Sequence, residues 1–192
     1  MKRLCNISII GLALAICAGC VVTSIYPFYT PKDVVFDAAL VGVWAEAGST
    51  NAATENWRFE QSGTNAYKLT VNEKDKHTAY DAHLFKLKGK LFLDCFPRER
   101  QDDFVPPHYL LKVTRIEPQF EYAIMNYKWL GELLEKNPNA VRHVVVPDES
   151  GDASKSRIVL TADTAELQKF VLKYQNAEGA FDELKVMKKQ SP

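Results

Sequence analysis

Four histidines and a few scattered carboxylates are the residues of this 192-residue chain that could do acid–base or metal chemistry. His77 and His83 stand six residues apart in a stretch with strand-like alternation, which is not the four-residue spacing of a helical metal pair. His108 and His143 are remote from them in sequence and have no cysteine or acidic cluster beside them. We therefore predict no metal site, and expect these histidines on the surface or in the wall of a sheet.

Nucleophiles and cofactor motifs give no stronger signal. The chain has no Gly-X-Ser-X-Gly elbow and no phosphate-binding glycine loop. Asp94 and the pair Asp102-Asp103 could in principle form the two carboxylates of a glycosidase, but Asp94 belongs to a predicted strand and the pair to a polar loop. Cys95 lies in an apolar run and is predicted to be a buried, inert thiol. We predict no catalytic residue, no enzymatic activity and no cofactor.

The charge balance argues against a nucleic-acid partner. The chain has 24 basic and 24 acidic residues, and without Lys2 and Arg3 the balance is 22 to 24, a net charge of −2. Binding to a phosphate backbone needs a basic stripe or patch, and the sequence contains none. Nucleic acid is therefore excluded from the predicted partners.

The N-terminus has the pattern of an export signal. Lys2 and Arg3 precede an apolar stretch, Ile7–Ala18, that is shorter than the ~20 residues needed to span a bilayer. A basic start followed by a short apolar region is typical of a secretory signal peptide. The narrow side chains of Ala18 and Gly19 directly before Cys20 suit a processing enzyme. We predict a signal peptide over residues 1–19, with Arg3–Ala18 forming a helix that has few contacts to the rest of the chain.

Ala18-Gly19-Cys20 resembles the lipobox of bacterial lipoproteins, with Cys17 at the position where leucine is usual. The resemblance implies that Cys20 becomes the acylated N-terminus and that membrane lipid is a partner. Because Val21, and not aspartate, follows the cysteine, it also implies a membrane-anchored place in the cell envelope, in the outer membrane rather than the inner. The alternative is ordinary cleavage that leaves Cys20 as a free thiol.

The rest of the chain divides into a tether and one strand-rich domain. Residues 20–39 contain Pro27 and Pro31 and lack a periodic apolar face, so they are either a flexible spacer or a segment lying against the domain or the lipid. From residue 40 onward, short runs alternate with period two, as half-buried strands do. Seven such runs precede the first helix: Leu40–Ala47, Asn56–Gln61, Ala66–Val71, Thr78–Leu87, Lys90–Phe96, Tyr109–Glu117 and a run from Phe120 through Ile124.

Two helices and three further strands follow. Asn126 is the predicted cap of a helix over Tyr127–Lys136, and Asp163 caps a second one that extends to Asn176. In the second helix four apolar residues form one stripe with helical spacing: Leu167, Phe170, Val171 and Tyr174. The further strands are predicted at Val141–Val146, Arg157–Leu160 and Leu184–Met187, the last of which could close the sheet.

Gly42-Val43-Trp44, in the first strand of the domain, resembles the Gly-X-Trp signature of lipocalins, the calycin barrels. The resemblance implies an antiparallel eight-stranded β-barrel with Trp44 filling one end. We therefore predict a mainly β (α+β) fold: a lipocalin-like barrel over residues 40–192 with two added α-helices. The wider pattern, from Phe36-Asp37 to Leu160-Thr161-Ala162, also resembles a group of uncharacterised bacterial lipoproteins.

Aromatic residues on the predicted strands are the candidates for a ligand site. A small barrel is either filled by its own side chains or holds one small ligand, and the sequence leaves both alternatives open. The residues predicted to contact a small apolar ligand are Trp57, Phe85, Tyr109 and Tyr122. The predicted function is thus a lipid-anchored envelope lipoprotein of non-enzymatic type. The rival hypotheses are a scaffold protein that uses an exposed apolar patch and a hydrolase whose residues are too scattered to recognise.

Overall fold

The computed structural model describes residues 21–99, 105, 107–148 and 156–191. The predicted signal peptide and Cys20 lie outside the described residues. The strands are β1 (Thr23–Ser24), β2 (Gly42–Glu46), β3 (Asn56–Ser62), β4 (Ala66–Glu73), β5 (Lys76–Leu87), β6 (Lys90–Pro97), β7 (His108–Arg115), β8 (Gln119–Ile124), β9 (His143–Val146), β10 (Arg157–Leu160) and β11 (Lys185–Lys189). The helices are α1 (Tyr127–Lys136), α2 (Thr164–Tyr174) and a short 3-10 helix, Ala38–Leu40.

Eight of these strands form a closed antiparallel barrel. Their order around the barrel is β2-β3-β4-β5-β6-β7-β8-β11. The strand β11 pairs with β8 on one side and with β2 on the other, and β6 pairs with β7, so the sheet closes on itself. The predicted antiparallel barrel with two added helices is therefore confirmed, and the last predicted strand is the one that closes it.

The period-two alternation of the strands fills the barrel interior with apolar side chains. In β4, for example, Tyr67, Leu69 and Val71 point inward and are buried. The interior cluster also includes large aromatic residues from three other strands: Trp44, Trp57, Phe59, Phe120 and Tyr122. Burial of each such side chain contributes about 1.5–3 kcal/mol, so this cluster is the main source of stability.

Trp44 fills one end of the barrel, which we call the closed end. Its side chain is 0% exposed, and its indole Nε1 donates a hydrogen bond to the carbonyl oxygen of Leu40 over 2.8 Å. The Lys189 ammonium lies 5.3 Å from the centroid of the Trp44 ring. Gly42 has a φ of +138°, and a Cβ there would lie 2.7 Å from Cε of Lys189. Glycine at position 42 thus leaves room for the Lys189 side chain, which lies over the indole ring of Trp44. Trp44 is buried, as predicted.

The two helices cover one side of the barrel wall. The side chains of Asn126 and Asp163 accept hydrogen bonds from the backbone N–H of Trp129 and Glu166, so both predicted caps are present. The second apolar cluster lies between the helices and the outer face of β5, β6 and β7, and its members include Phe85, Phe92, Leu110, Leu130, Leu167, Phe170 and Val171. Three residues of the predicted α2 stripe are fully buried there, whereas Tyr174 is only half-buried.

Residues 21–37, which we call the N-terminal strap, pack along the outside of the same wall. Phe28 is 1% exposed. The backbone N–H of Val35 donates to the carbonyl oxygen of Leu84 over 2.8 Å. The backbone N–H of Lys86 donates to the carbonyl oxygen of Asp33 over 2.9 Å. Over its described part, the segment predicted as a tether therefore lies against the domain, which is one of the two alternatives that its sequence left open.

The remaining strands form an extension of the barrel wall. The strap strand β1 pairs with the beginning of β7 on one side and with β10 on the other, and β10 pairs with β9. The extension starts at the end of the barrel opposite Trp44, which we call the open end. Its last strand, β9, ends the sheet order of the described residues.

Candidate functional site

Three of the four predicted ligand-contacting residues belong to the barrel interior. Trp57 and Tyr122 are buried there, and Tyr109 packs against the same cluster. Phe85 differs from the prediction, because its side chain belongs to the cluster outside the wall, where it stacks on Phe92 at 5.6 Å between ring centroids. In β5 the inward residues are Tyr80, Ala82 and Leu84. The outward residues Phe85 and Leu87 are also apolar and buried, so alternation alone could not assign this end of the strand.

The described interior is filled by its own aromatic rings. Trp57 stacks on Tyr122 at 4.9 Å, and Phe120 stacks on Tyr122 at 5.3 Å. A cavity of about 50 Å³ remains at the open end, beside Trp57, Val71 and Tyr122. An apolar cavity that binds benzene measures roughly 150 Å³. This cavity has room for water but not for an apolar ligand.

A polar cluster on the outer wall was not predicted from the sequence. The Asp94 side chain is 0% exposed, and its Oδ1 lies 2.7 Å from Nδ1 of His108. Its Oδ2 accepts a hydrogen bond from the backbone N–H of Phe28 over 3.0 Å. Both carboxylate oxygens thus have a partner, as a carboxylate buried in an apolar wall requires.

The second pair of this cluster is Tyr29 and His83. Their rings stack at 4.5 Å between centroids, and the Tyr29 hydroxyl shares a hydrogen bond of 3.0 Å with Nδ1 of His83. Burial raises the pKa of Tyr29 to about 12, with help from the carboxylates of Asp94 and Asp81. Burial also lowers the pKa of His83, although the same two carboxylates oppose the shift. The four residues Tyr29, His83, Asp94 and His108 are called the polar clamp below.

The polar clamp fastens the N-terminal strap to the barrel. His83 and Asp94 are directly paired residues of β5 and β6, and the strap crosses them with Phe28 and Tyr29. The clamp thus supplies the strap with one hydrogen bond to its backbone and one to a side chain. Three more come from α2: Thr164 donates to the carbonyl oxygen of Pro27, and Gln168 donates to the carbonyl oxygen of Phe28 and to the side chain of Asp33.

The pair of Asp94 and His108 could also hold an imidazole as a general base. A carboxylate bound to Nδ1 fixes the tautomer and leaves Nε2 as a proton acceptor. A nucleophile would have to lie next to Nε2, and Ser24 is directly opposite His108 in the pairing of β1 with β7. However, Ser24 is 0% exposed, and its hydroxyl accepts a hydrogen bond from the backbone N–H of Tyr26. The geometry therefore fits a structural clamp better than a catalytic pair.

Metal ligation has no support in the described part of the chain. No group of three or more His, Cys, Asp or Glu side chains among these residues is placed to hold a metal ion. His77, which the sequence places near His83, hydrogen-bonds through Nδ1 to the side-chain oxygen of Asn72 over 2.8 Å. Cys95 lies in the barrel interior, where burial raises the pKa of its thiol well above the usual value. Such a thiol is a poor nucleophile.

The lowered pKa of His83 predicts a loss of stability on acidification. In the unfolded chain the histidine pKa is about 6.5, and in the folded chain the pKa of His83 is lower. As the pH falls, the His83 imidazole is therefore protonated first in the unfolded state, which stabilises that state. The free energy of unfolding should therefore decrease below about pH 6.5. In a His83→Gln variant this decrease should be smaller, as urea unfolding at several pH values would measure.

His77→Gln is the control for that measurement, because His77 is exposed and remote from the strap. Its pH profile should run parallel to that of the wild-type chain. If the His83→Gln profile is also parallel, His83 is not the group responsible for the loss of stability in acid.

Comparisons with protein-family models, with curated proteins and with solved structures find no match to this chain. The lipobox and Gly-X-Trp resemblances thus rest on the residues that carry them. The function has to be argued from the chain itself.

Proposed function

We propose that the chain is a membrane-anchored bacterial envelope lipoprotein of non-enzymatic type, whose barrel is held directly at a lipid surface by acylated Cys20. The residues that support this proposal are the basic start, the short apolar stretch and Ala18-Gly19-Cys20. Among the described residues, no helix is long and apolar enough to cross a membrane.

The observation that carries the proposal is how closely the residues after Cys20 are packed into the domain. Val21 forms a β-bridge with Asn126, Val22 is 4% exposed, and Ser24 is fully buried. The residue directly after Cys20 in the sequence is thus already paired with the domain. An acyl group on Cys20 would therefore hold the barrel against the lipid without a flexible spacer.

Stable anchoring at this position needs more than one acyl chain. Each buried CH₂ group contributes about 0.8 kcal/mol, and a single chain binds a membrane only marginally. The lipoproteins that the lipobox resembles have two or three chains on this cysteine. By the same resemblance, Val21 after the cysteine favours the outer membrane.

Labelling of the precursor with radioactive palmitate in a bacterial host tests this proposal. The wild-type chain should incorporate the label, and a Cys20→Ala variant should not. Cys95→Ala is the matched control, because it removes the one buried free thiol of the described residues and should leave labelling unchanged. Equal labelling of the wild-type chain and of Cys20→Ala would refute the proposed anchor.

A role of the barrel surface is better supported than a ligand inside the barrel. The described interior is packed, whereas large apolar residues are exposed on β9: Val144 is 51% and Val145 54% exposed. These valines favour the scaffold alternative as the second candidate, in which the anchored barrel presents an apolar surface to a partner. A hydrolase remains the weaker rival, since it would have to use Asp94 and His108 with a buried serine.

A further inference from the structure

The extension formed by β1, β10 and β9 has one face that is buried except on β9, where Val145 is exposed, and one apolar face that is partly exposed. Thr23 pairs with Val159, and Val159 pairs with Val144. Because directly paired residues point to the same side of a sheet, these three side chains share a face. The whole set on this face, which we call the valine face, is Val21, Thr23, Val144, Val146, Arg157 and Val159.

The other side of the extension explains why the valine face is turned outward. Val22, Ile158 and Leu160 lie on the opposite side and are buried in the cluster beneath the helices. The valine face in turn continues the inner face of the barrel beyond its open end, since Thr23 pairs with the inward-pointing Tyr109. On this face Val144 is exposed, and Val21, Val146 and Val159 are partly exposed.

Exposed valines on a terminal strand are costly unless a partner covers them. Val144 is 51% exposed, and β9 ends the sheet order of the described residues. An uncovered apolar edge strand promotes pairing with other chains, and natural proteins commonly protect such edges. The location of this face indicates which partner covers it.

Cys20 is bonded to Val21, the first residue of the valine face. With about 3.3 Å per residue along a strand and about 4.8 Å between strands, Val144 lies roughly 12 Å from Val21. The single cation of the face, Arg157, is exposed and suits the anionic headgroups of a bilayer.

We propose that the valine face lies on the membrane beside the acyl anchor and forms a second contact with the lipid. This inference rests on the proposed acylation of Cys20 and adds an orientation to it. The open end of the barrel faces the bilayer, and the closed end, with Trp44 and the turn between β3 and β4, faces away from it.

The test uses the acylated chain in vesicles of phosphatidylethanolamine and phosphatidylglycerol. A bimane fluorophore is attached to a Val144→Cys variant and, as the matched control, to Asn65→Cys in the exposed turn at the closed end. Cys95 is buried, so the introduced thiol reacts selectively. We expect bimane at position 144 to shift to shorter wavelength and to lose emission when the vesicles contain nitroxide-labelled lipid, and bimane at position 65 to do neither.

A second variant tests the contribution of charge. Arg157→Glu, combined with Val144→Cys, should reduce the loss of emission in phosphatidylglycerol vesicles, because the glutamate repels the anionic headgroups. Far-UV circular dichroism of each variant should match that of the wild-type chain, since both positions are exposed.

The other outcomes overturn the inference in distinguishable ways. If palmitate enters Cys20 but the nitroxide lipid acts equally on both positions, the second contact is refuted and the anchor stands. If the position-144 fluorophore is already buried in detergent and the protein has the mass of two chains, a second copy covers the face instead. If Cys20 takes up no palmitate, the anchor and the second contact are both wrong.

Discussion

Trp44→Ala is expected to lower the free energy of unfolding by about 3–5 kcal/mol. Trp44 is 0% exposed, contacts Phe120 at 5.8 Å between ring centroids and closes one end of the barrel. Truncation to alanine leaves a cavity that the surrounding strands cannot collapse to fill, because hydrogen bonds fix their register on both sides. It also leaves the Leu40 carbonyl oxygen without the donor it has in the wild-type chain. Urea unfolding followed by far-UV circular dichroism would measure the loss.

Trp129→Ala is the matched control for Trp44→Ala. Trp129 lies in α1, is half-buried and packs edge-on against Tyr174 at 5.4 Å. The same truncation there removes less buried surface and leaves a site that opens to water, so the loss should be clearly smaller. If both variants lose the same amount, Trp44 is not a structural plug of the barrel.

His108→Ala is expected to cost about 1–3 kcal/mol, because it removes the hydrogen-bond partner of Oδ1 and leaves the buried Asp94 side chain with only the N–H of Phe28. In an Asp94→Asn background the same truncation should cost less, since a neutral amide does not need the imidazole as a counterpart. The two substitutions should therefore be non-additive by about 1–3 kcal/mol in a double-mutant cycle. Chemical unfolding of the four chains at pH 7 would give this coupling energy.

Arg98→Ala is the control for that cycle. The Arg98 guanidinium lies 2.9 Å from the Asp81 carboxylate, but both side chains are about 40% exposed, at 41% and 38%. Exposed ion pairs contribute about 0–1 kcal/mol, so this variant should stay close to the wild-type chain. Additive losses for Asp94→Asn and His108→Ala would mean that the clamp does not act as a unit.

The strands and helices were predictable because their signals are local. The strand β10 has the bounds that the alternation predicted, and α1 begins directly after its cap at Asn126 and ends before Asn137-Pro138. A cap, a turn and a period of two each depend on neighbours along the chain. Closure of the barrel was implied by the resemblance of Gly42-Val43-Trp44 to the lipocalin signature, supported by the strand count of the whole domain.

The polar clamp and the strap could not be predicted because their contacts join distant parts of the chain. Asp94 contacts Phe28 across 66 positions, and Tyr29 contacts His83 across 54. The one available signal was a carboxylate within the apolar run of β6, which indicates that a buried partner must exist but not which residue it is. Phe85 was assigned to the interior for a related reason, since only the helices reveal that the outer face of its strand is covered.

Mass spectrometry of the N-terminal peptide of the mature protein, taken from the membrane fraction, tests the central claim most directly. The account predicts a peptide that begins at Cys20, has acyl chains attached to that residue and continues with Val21. A mature chain that begins at another residue, or that has an unmodified thiol at Cys20, would contradict it.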